Sequence, residues 1–349
     1  LEILDAEGDI VMENPLEMRG LAFIEFASPR PHELDKLFTG LGFSRTHRHK
    51  ARALDAYRQG KAWFLVDQER ASFAQRFMAE HGPSVSALGL AFEDARAAFD
   101  AALRRGATAF DARGSTSFDA PAIYGIGDSL VYFVDAKSSF ERELERVPTP
   151  RLVRDKGFLG VDHLTNNVPQ GELGKWSDFY KKVFGFVEVR SFDIEGAKSG
   201  LYSYALRAPC GTFSIPINED KGDRGQIAEY LREYRGSGVQ HIALLTRDIL
   251  TSVEAVGEGV EMLDIDADYY EEAFRRVPNV REERARIEKN RVLLDGDAEG
   301  YLLQIFTKNV VGPIFFELIQ RENHFSFGEG NFSALFRSIE RDQERRGVL

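Results

Sequence analysis

The sequence predicts an α+β protein of two domains, each a curved mixed sheet wrapped around a cavity with helices outside, and three observations carry that expectation. A strand-helix-strands pattern recurs four times along the chain, and the four copies fall into two pairs. The chain has 349 residues, more than one hydrophobic core usually serves. A Pro- and charge-rich stretch from Glu145 to Arg154 separates the pairs, where a linker belongs. The expected domains are residues 1–150 and 151–349.

The first copy opens on the apolar run from Gly20 to Phe26. Leu34, Leu37, Phe38 and Leu41 then recur at i, i+3, i+4 and i+7, the buried face of a helix, and a hairpin turns at Gln59-Gly60-Lys61. The second copy opens at Ser84 and places a helix over 94–105 that Gly106 stops. The third is the closest relative of the first. It runs Gly160-Val-Asp-His-Leu, a helix with Trp176, Phe179, Tyr180 and Val183 on one face, Gly185-Phe186, and a hairpin at Pro209-Cys210-Gly211. The fourth opens at Gly238-Val-Gln-His-Ile, with a helix over 248–256 and strands over 302–307 and 314–319. Residues 266–289 depart from the repeat, and their charge density predicts an inserted helical excursion on the surface, without chemistry of its own. Near the C-terminus, Asn331 is placed to cap a helix whose Phe332, Leu335, Phe336 and Ile339 share a face.

Composition narrows the function. Lys and Arg number 45 against 56 Asp and Glu, a net charge of -11, so the overall field repels nucleic acid and anionic membranes. No stretch of about 18 apolar residues or basic apolar leader is present. With the lone Cys210 in a turn, the expected location is the cytoplasm. An anionic small substrate then needs a local positive centre, which a divalent metal supplies.

The repeat points to that metal. His163 and His241 occupy the same slot, the fourth residue of the opening strand, where copies one and two carry Phe23 and Ala87. A lone histidine on an apolar strand is more often a core residue. Two at matching positions of pseudo-symmetric strands converge on one cavity, and only in the second domain. The third partner is expected to be Glu317, which interrupts the apolar strand from Gly312 to Gln320 and shares a face with Phe315 by alternation. The bland reading of Glu317 is an edge-strand charge facing solvent. Two imidazoles and one carboxylate leave about three positions open on an octahedral ion, the arrangement of non-haem iron(II) oxygenases. Structural zinc prefers a closed site rich in cysteine, and only one cysteine exists. Other clusters carry less: Thr46-His47-Arg48-His49 reads as a solvated strand, and Gly125-Ile-Gly127 and Gly328-Glu-Gly330 lack the strand and helix of a phosphate loop.

At these residues the chain resembles the 4-hydroxyphenylpyruvate dioxygenase family of the vicinal-oxygen-chelate superfamily, from Glu13 onward. The marks are Val161-Asp162-His163, Val239-Gln240-His241, Leu303-Gln304-Ile305-Phe306, Phe315-Phe316-Glu317 and the tail from Phe327 to Phe332. The resemblance implies paired βαβββ-type modules forming half-open barrels, an Fe(II) cofactor on His163, His241 and Glu317, and a 2-oxo acid and O2 as partners. The implied reaction converts 4-hydroxyphenylpyruvate to homogentisate and CO2, through decarboxylation, ring hydroxylation and side-chain migration. The resemblance also places Ser203, Asn218, Gln226, Gln240 and Gln304 in a polar network, with Asn218, Gln240 and Gln304 acting on the reacting substrate. Pro216 shares a face with Asn218, and Phe306 with Gln304. Phe306, Phe315, Phe327, Phe332, Leu335 and Phe336 supply the cavity's apolar walls, the C-terminal helix serving as a gate that excludes water. Two other readings stay open: 4-hydroxymandelate synthase, which hydroxylates the benzylic carbon instead, and a non-catalytic binding protein on the same scaffold. Oligomeric state is not legible.

Overall fold

The computed structural model describes residues 13–111, 115–137, 140–195, 200–222, 225–345 and 347. The first half runs β1 (Met18–Ala27), α1 (Pro31–Gly40), β2 (Ser44–His49), β3 (Leu54–Gln59), β4 (Ala62–Asp67), α2 (Phe73–His81), β5 (Ser84–Phe92), α3 (Ala95–Arg104), β6 (Ala122–Tyr124), β7 (Leu130–Val134) and β8 (Leu144–Arg151). The second runs β9 (Phe158–Val168), α4 (Leu173–Phe184), β10 (Val187–Glu195), β11 (Gly200–Arg207), β12 (Ser214–Asp220), α5 (Gln226–Tyr234), β13 (Gly238–Thr246), α6 (Ile249–Val256), α7 (Tyr269–Arg276), α8 (Arg284–Lys289), β14 (Leu293–Gly296), β15 (Tyr301–Phe306), β16 (Phe315–Glu322) and α9 (Phe332–Arg345). Helix boundaries follow local chemistry. Asp94 and Asp248 cap α3 and α6 by accepting from the backbone N–H groups of Ala97 and Thr251, and α4 stops at left-handed Gly185.

Each half forms an eight-stranded mixed sheet, in the orders β6-β7-β5-β1-β4-β3-β2-β8 and β10-β11-β12-β9-β13-β16-β15-β14. The repeat is visible in the pairing: β1 lies antiparallel to β5 as β9 does to β13, and each of these four strands has a parallel neighbour, β4, β7, β12 and β16. This is the α+β half-barrel architecture the fourfold pattern implies. Apolar residues of both halves join in one core, where Phe64 of β4 meets Phe316 of β16 at 5.9 Å between ring centroids.

Two expectations are corrected. The stretch from Glu145 to Arg154 is largely strand: β8 pairs antiparallel with β2 at the edge of the first sheet. Pro148 and Pro150 are tolerated because an edge strand need not donate every N–H to a neighbour. The excursion at 266–289 is also not merely superficial. Its helices α7 and α8 bury Tyr269, Tyr270, Ala273 and Ile287, and Tyr269 reaches toward the second sheet's cavity as described below.

Candidate metal centre and substrate cavity

The inner face of the second sheet closes around a cavity of about 610 Å³ of atom-free space, part of it open to solvent. Seven of its eight strands contribute to the wall: Phe192 and Ile194 from β10, Leu201 and Ser203 from β11, Pro216 and Asn218 from β12, His163 and Thr165 from β9, Gln240 and His241 from β13, Phe315 and Glu317 from β16, and Gln304 and Phe306 from β15. Only β14 stays out, so the sheet must curl around this space. Gln226 of α5 and Phe327, Phe332, Leu335 and Phe336 of the C-terminal segment complete it. Every site residue named from sequence therefore faces one cavity. Thr165, Phe192, Ile194 and Leu201 line it as well and were not singled out from sequence, although strand alternation from His163 leads directly to Thr165.

The triad is part of the cavity wall. His163 Nε2 is 3.3 Å from His241 Nε2 and 3.2 Å from Glu317 Oε2, and His241 Nε2 is 3.5 Å from the same oxygen. Glu317 is 2% exposed in a central strand, which removes the edge-charge reading. Two β-bulges aim the imidazoles. In the β9/β13 ladder His163 pairs with Ala243 but Val161 with Leu244, so Asp162 is an extra residue. His241 pairs with Thr165 but Val239 with Asn166, so Gln240 is another. Both extra side chains turn toward the histidine that follows: Asp162 Oδ2 lies 2.7 Å from His163 Nδ1, and Gln240 Oε1 lies 3.0 Å from His241 Nδ1. Each Nδ1–H is thereby committed as a donor, leaving each neutral ring with a bare Nε2 lone pair.

With both rings neutral, three electron-pair donors converge, an arrangement that a positive charge at their centre relieves, either a proton on one imidazole or a metal cation. Adjacent ligands on an octahedral ion with bonds of about 2.1 Å stand about 3 Å apart, close to the spacings found. The electrostatics of the three groups favour a positive charge at their centre. Burial alone depresses His163, but the Glu317 carboxylate and Asp162 outweigh it and push the imidazole up to about 9. Burial raises Glu317, yet His163 and then His241 bring it down to about 2. His241 is lowered, by burial first. Asp162, buried, is held well below the usual carboxylate range because the Arg321 guanidinium and His163 overcome desolvation. The residues fit a divalent metal.

Around the triad the amides are locked in place. Gln304 Nε2 donates to Glu317 Oε1 at 3.2 Å, and its Oε1 accepts from Asn331 Nδ2 at 2.9 Å. Asn331 in turn accepts from the Tyr269 hydroxyl at 2.6 Å and from Arg276 at 3.3 Å. The Asn331 side chain, expected as a helix cap, turns inward and anchors Gln304. Gln240 Nε2 donates to Gln226 Oε1 at 3.4 Å, and Asn218 Nδ2 to Asn167 Oδ1 at 3.3 Å. Rings are arranged around the triad: Phe315 stacks on His241 at 4.8 Å, Phe327 meets His163 edge-on at 5.5 Å, and Phe192 meets Phe332 edge-on at 5.4 Å. Elsewhere, His49 is not solvated as expected: it is 7% exposed, and its Nε2 lies 3.1 Å from a Glu143 carboxylate oxygen.

In the first half the same slots hold no ligand. Phe23 fills the slot with a packed ring instead, 5.3 Å from Phe118, 4.9 Å from Phe140 and 5.7 Å from Tyr132 between centroids. Gly89 on β5 is required for that filling, because a Cβ there would stand 2.3 Å from the Phe23 ring.

This fold and site define a class. Residues 160–277 match the model of the Glyoxalase/Bleomycin resistance protein/Dioxygenase superfamily, and residues 12–143 match that of "Hydroxyphenylpyruvate dioxygenase, HPPD, N-terminal". The chain is 50% identical to Protein MelA of Shewanella colwelliana, over 97% of this chain and 99% of that protein. It is 42% identical to 4-hydroxyphenylpyruvate dioxygenase of Legionella pneumophila strain Philadelphia 1, over 96% and 98%. Among solved structures, a mutant of 4-hydroxymandelate synthase from Streptomyces coelicolor aligns with a TM-score of 0.80 at 27% identity, over 93% of this chain and 99% of that one. The chain belongs to the 4-hydroxyphenylpyruvate dioxygenase family and is an enzyme of that type. Among the described residues no helix is long and apolar enough to cross a membrane.

Proposed function

We propose that the chain is an Fe(II)-dependent dioxygenase that converts 4-hydroxyphenylpyruvate and O2 to homogentisate and CO2. The observation that carries this reading is the convergence of His163, His241 and Glu317 in the wall of an aromatic cavity, with amides fixed around them. A ferrous ion held there would offer open positions to the 2-oxo acid and to O2 and would relay electrons to O2, the substrate itself being the reductant.

The chain's own residues bind, orient and shield. Phe306, Phe315, Phe327 and Phe332 form apolar walls that suit the substrate ring. Asn218 donates one amide N–H to Asn167, which fixes the amide, and its carbonyl oxygen remains to accept from a phenolic hydroxyl. Ser203 pairs across the ladder with Asn218 and adds a hydroxyl to the same wall. Gln304 and Gln240 keep their orientation through Asn331 and Gln226, which lets their amides hold a charged oxo acid without reorganising. Phe332, Leu335 and Phe336 of α9 cover the opening and exclude water.

The second reading is benzylic hydroxylation, which the shared architecture with 4-hydroxymandelate synthase brings forward. Asn218 and Phe332 in the wall support the ring-hydroxylating reading. The deciding experiment is anaerobic Fe(II) loading, oxygen uptake with 4-hydroxyphenylpyruvate, and chromatography of the product. Homogentisate supports the proposal, 4-hydroxymandelate selects the synthase reaction, and no uptake by metal-loaded protein overturns both.

A further inference from the structure

The two histidine ligands are held differently, and the difference reaches beyond the site. His241 leans on a neutral amide, Gln240. His163 leans on a carboxylate, Asp162, that is itself gripped by Arg321: Nε donates to Oδ1 and Nη2 to Oδ2, both at 2.8 Å. That pair is partly buried, each side chain 13% exposed, and its fork geometry is the one a guanidinium makes and an ammonium does not. Arg321 stands on β16, the strand that also carries Glu317.

The remaining guanidinium nitrogen points elsewhere. Nη1 donates to the backbone carbonyls of Ser326 at 2.6 Å and His324 at 3.1 Å. These carbonyls belong to the segment that leaves β16, passes Phe327 and Gly328, and enters α9. Arg321 also lies 5.7 Å from the Phe327 ring, which in turn meets the His163 imidazole edge-on. One side chain therefore touches the ligand strand, the carboxylate behind the second ligand, and the approach to the covering helix.

We propose that Arg321 is a positioning residue that makes the His163 ligand and the segment over 324–327 a single mechanical unit, through Asp162 on one side and the Ser326 and His324 carbonyls on the other. A metal that fixes His163 then also orders the approach to α9, and by linkage an ordered approach tightens the metal. The inference rests on the triad being a metal site. It needs no contact between Arg321 and substrate.

The test uses the full chain with cobalt(II) as probe, its binding followed by visible absorption against a competing chelator, and hydrogen exchange over 324–331 with and without the metal. The wild-type chain is expected to bind cobalt and to slow exchange in that segment on binding. Arg321→Gln is expected to weaken cobalt binding about 10- to 100-fold, the usual cost of losing an outer partner of a ligating histidine, and to abolish the metal-dependent slowing. Arg321→Lys is expected to recover only part of both. Asp162→Asn keeps an acceptor for His163 Nδ1–H but breaks the charged fork, so it is expected to lose the exchange response and provides the test should Arg321→Gln not fold. Wild-type cobalt affinity and an intact exchange response in a folded Arg321→Gln or Asp162→Asn protein would overturn the proposal while leaving the triad standing. A wild-type chain that binds no metal would instead remove the reading of the site itself.

Discussion

At the scale of single residues, Asn331 has the most to lose. Its side chain satisfies Gln304, Tyr269 and Arg276 together inside the protein. Asn331→Ala leaves the buried Gln304 amide oxygen without its partner, while the Tyr269 hydroxyl keeps the Leu294 backbone, a cost of about 1–3 kcal/mol. It also frees Gln304 to rotate away from Glu317, and misplacement on the scale of an ångström costs up to about 100-fold. The expected result is a folded protein with a lowered denaturation midpoint and kcat/KM reduced about 10- to 100-fold; unchanged kinetics would show that Gln304 needs no anchor. Gly328→Ala strikes the same amide from the other side. Gly328 has φ 79°, and a Cβ there would fall 1.8 Å from Gln304 Oε1. Loss of turnover with metal affinity reduced less than about 10-fold is expected, measured by oxygen uptake alongside metal titration. The ligand residues were legible because a repeat carries its own alignment: two histidines in one slot declare a site. Asp162, Asn331 and Arg321 were not, because their roles depend on partners from other strands and on bulges that no periodicity records.

At the scale of elements, what sequence showed and what it hid divide along the same line. Strands and helices with strong periodicity stand where the pattern put them. Strand β8 did not, since two prolines in a charged stretch look like a linker until an edge position makes them harmless. Helices α7 and α8 look like surface by charge, yet Tyr269 and Arg276 of α7 brace Asn331. The C-terminal helix α9 follows its expected face, and Leu335 and Phe336 line the cavity. A chain ended after Gly328 is therefore expected to keep the triad and bind metal, but to consume oxygen with less than half the product formed per O2, as water enters the cavity. Product and oxygen counted in one reaction check this; full coupling in the truncated protein would assign the helix a structural role alone.

At the scale of the whole molecule, the two halves use one plan for opposite ends: the second keeps a cavity lined by the triad, amides and rings, and the first fills the matching position with packed rings. Glu25 and Asp67 remain buried in that filled half, 1% and 0% exposed. Asp67 accepts from the hydroxyls of Ser72 and Ser117 and from the Glu69 backbone N–H, and is the better placed of the two to keep a charge. Glu25 accepts from Ser86 through one oxygen, and its other oxygen has no partner among the described residues. Burial first, and then Asp67, push Glu25 from 4.5 up to about 8. A carboxyl raised on folding means the folded chain binds the extra proton, so its contribution is intact below about pH 4.5 and is lost as pH rises toward about 8. Glu25→Gln keeps a neutral group of the same shape and removes that loss. The variant is expected to match wild type within about 1 kcal/mol near pH 4.5 and to exceed it by on the order of a few kcal/mol at about pH 8.5, since each tenfold difference in proton affinity between folded and unfolded chain is worth about 1.4 kcal/mol. Taking the difference between the two proteins cancels the titrating groups that do not interact with Glu25, leaving Glu25 and its neighbour Asp67, and urea denaturation at the two pH values measures it. A gain that did not grow with pH would mean that Glu25 is already charged in the folded protein, with a cation or water supplying the partner its second oxygen lacks.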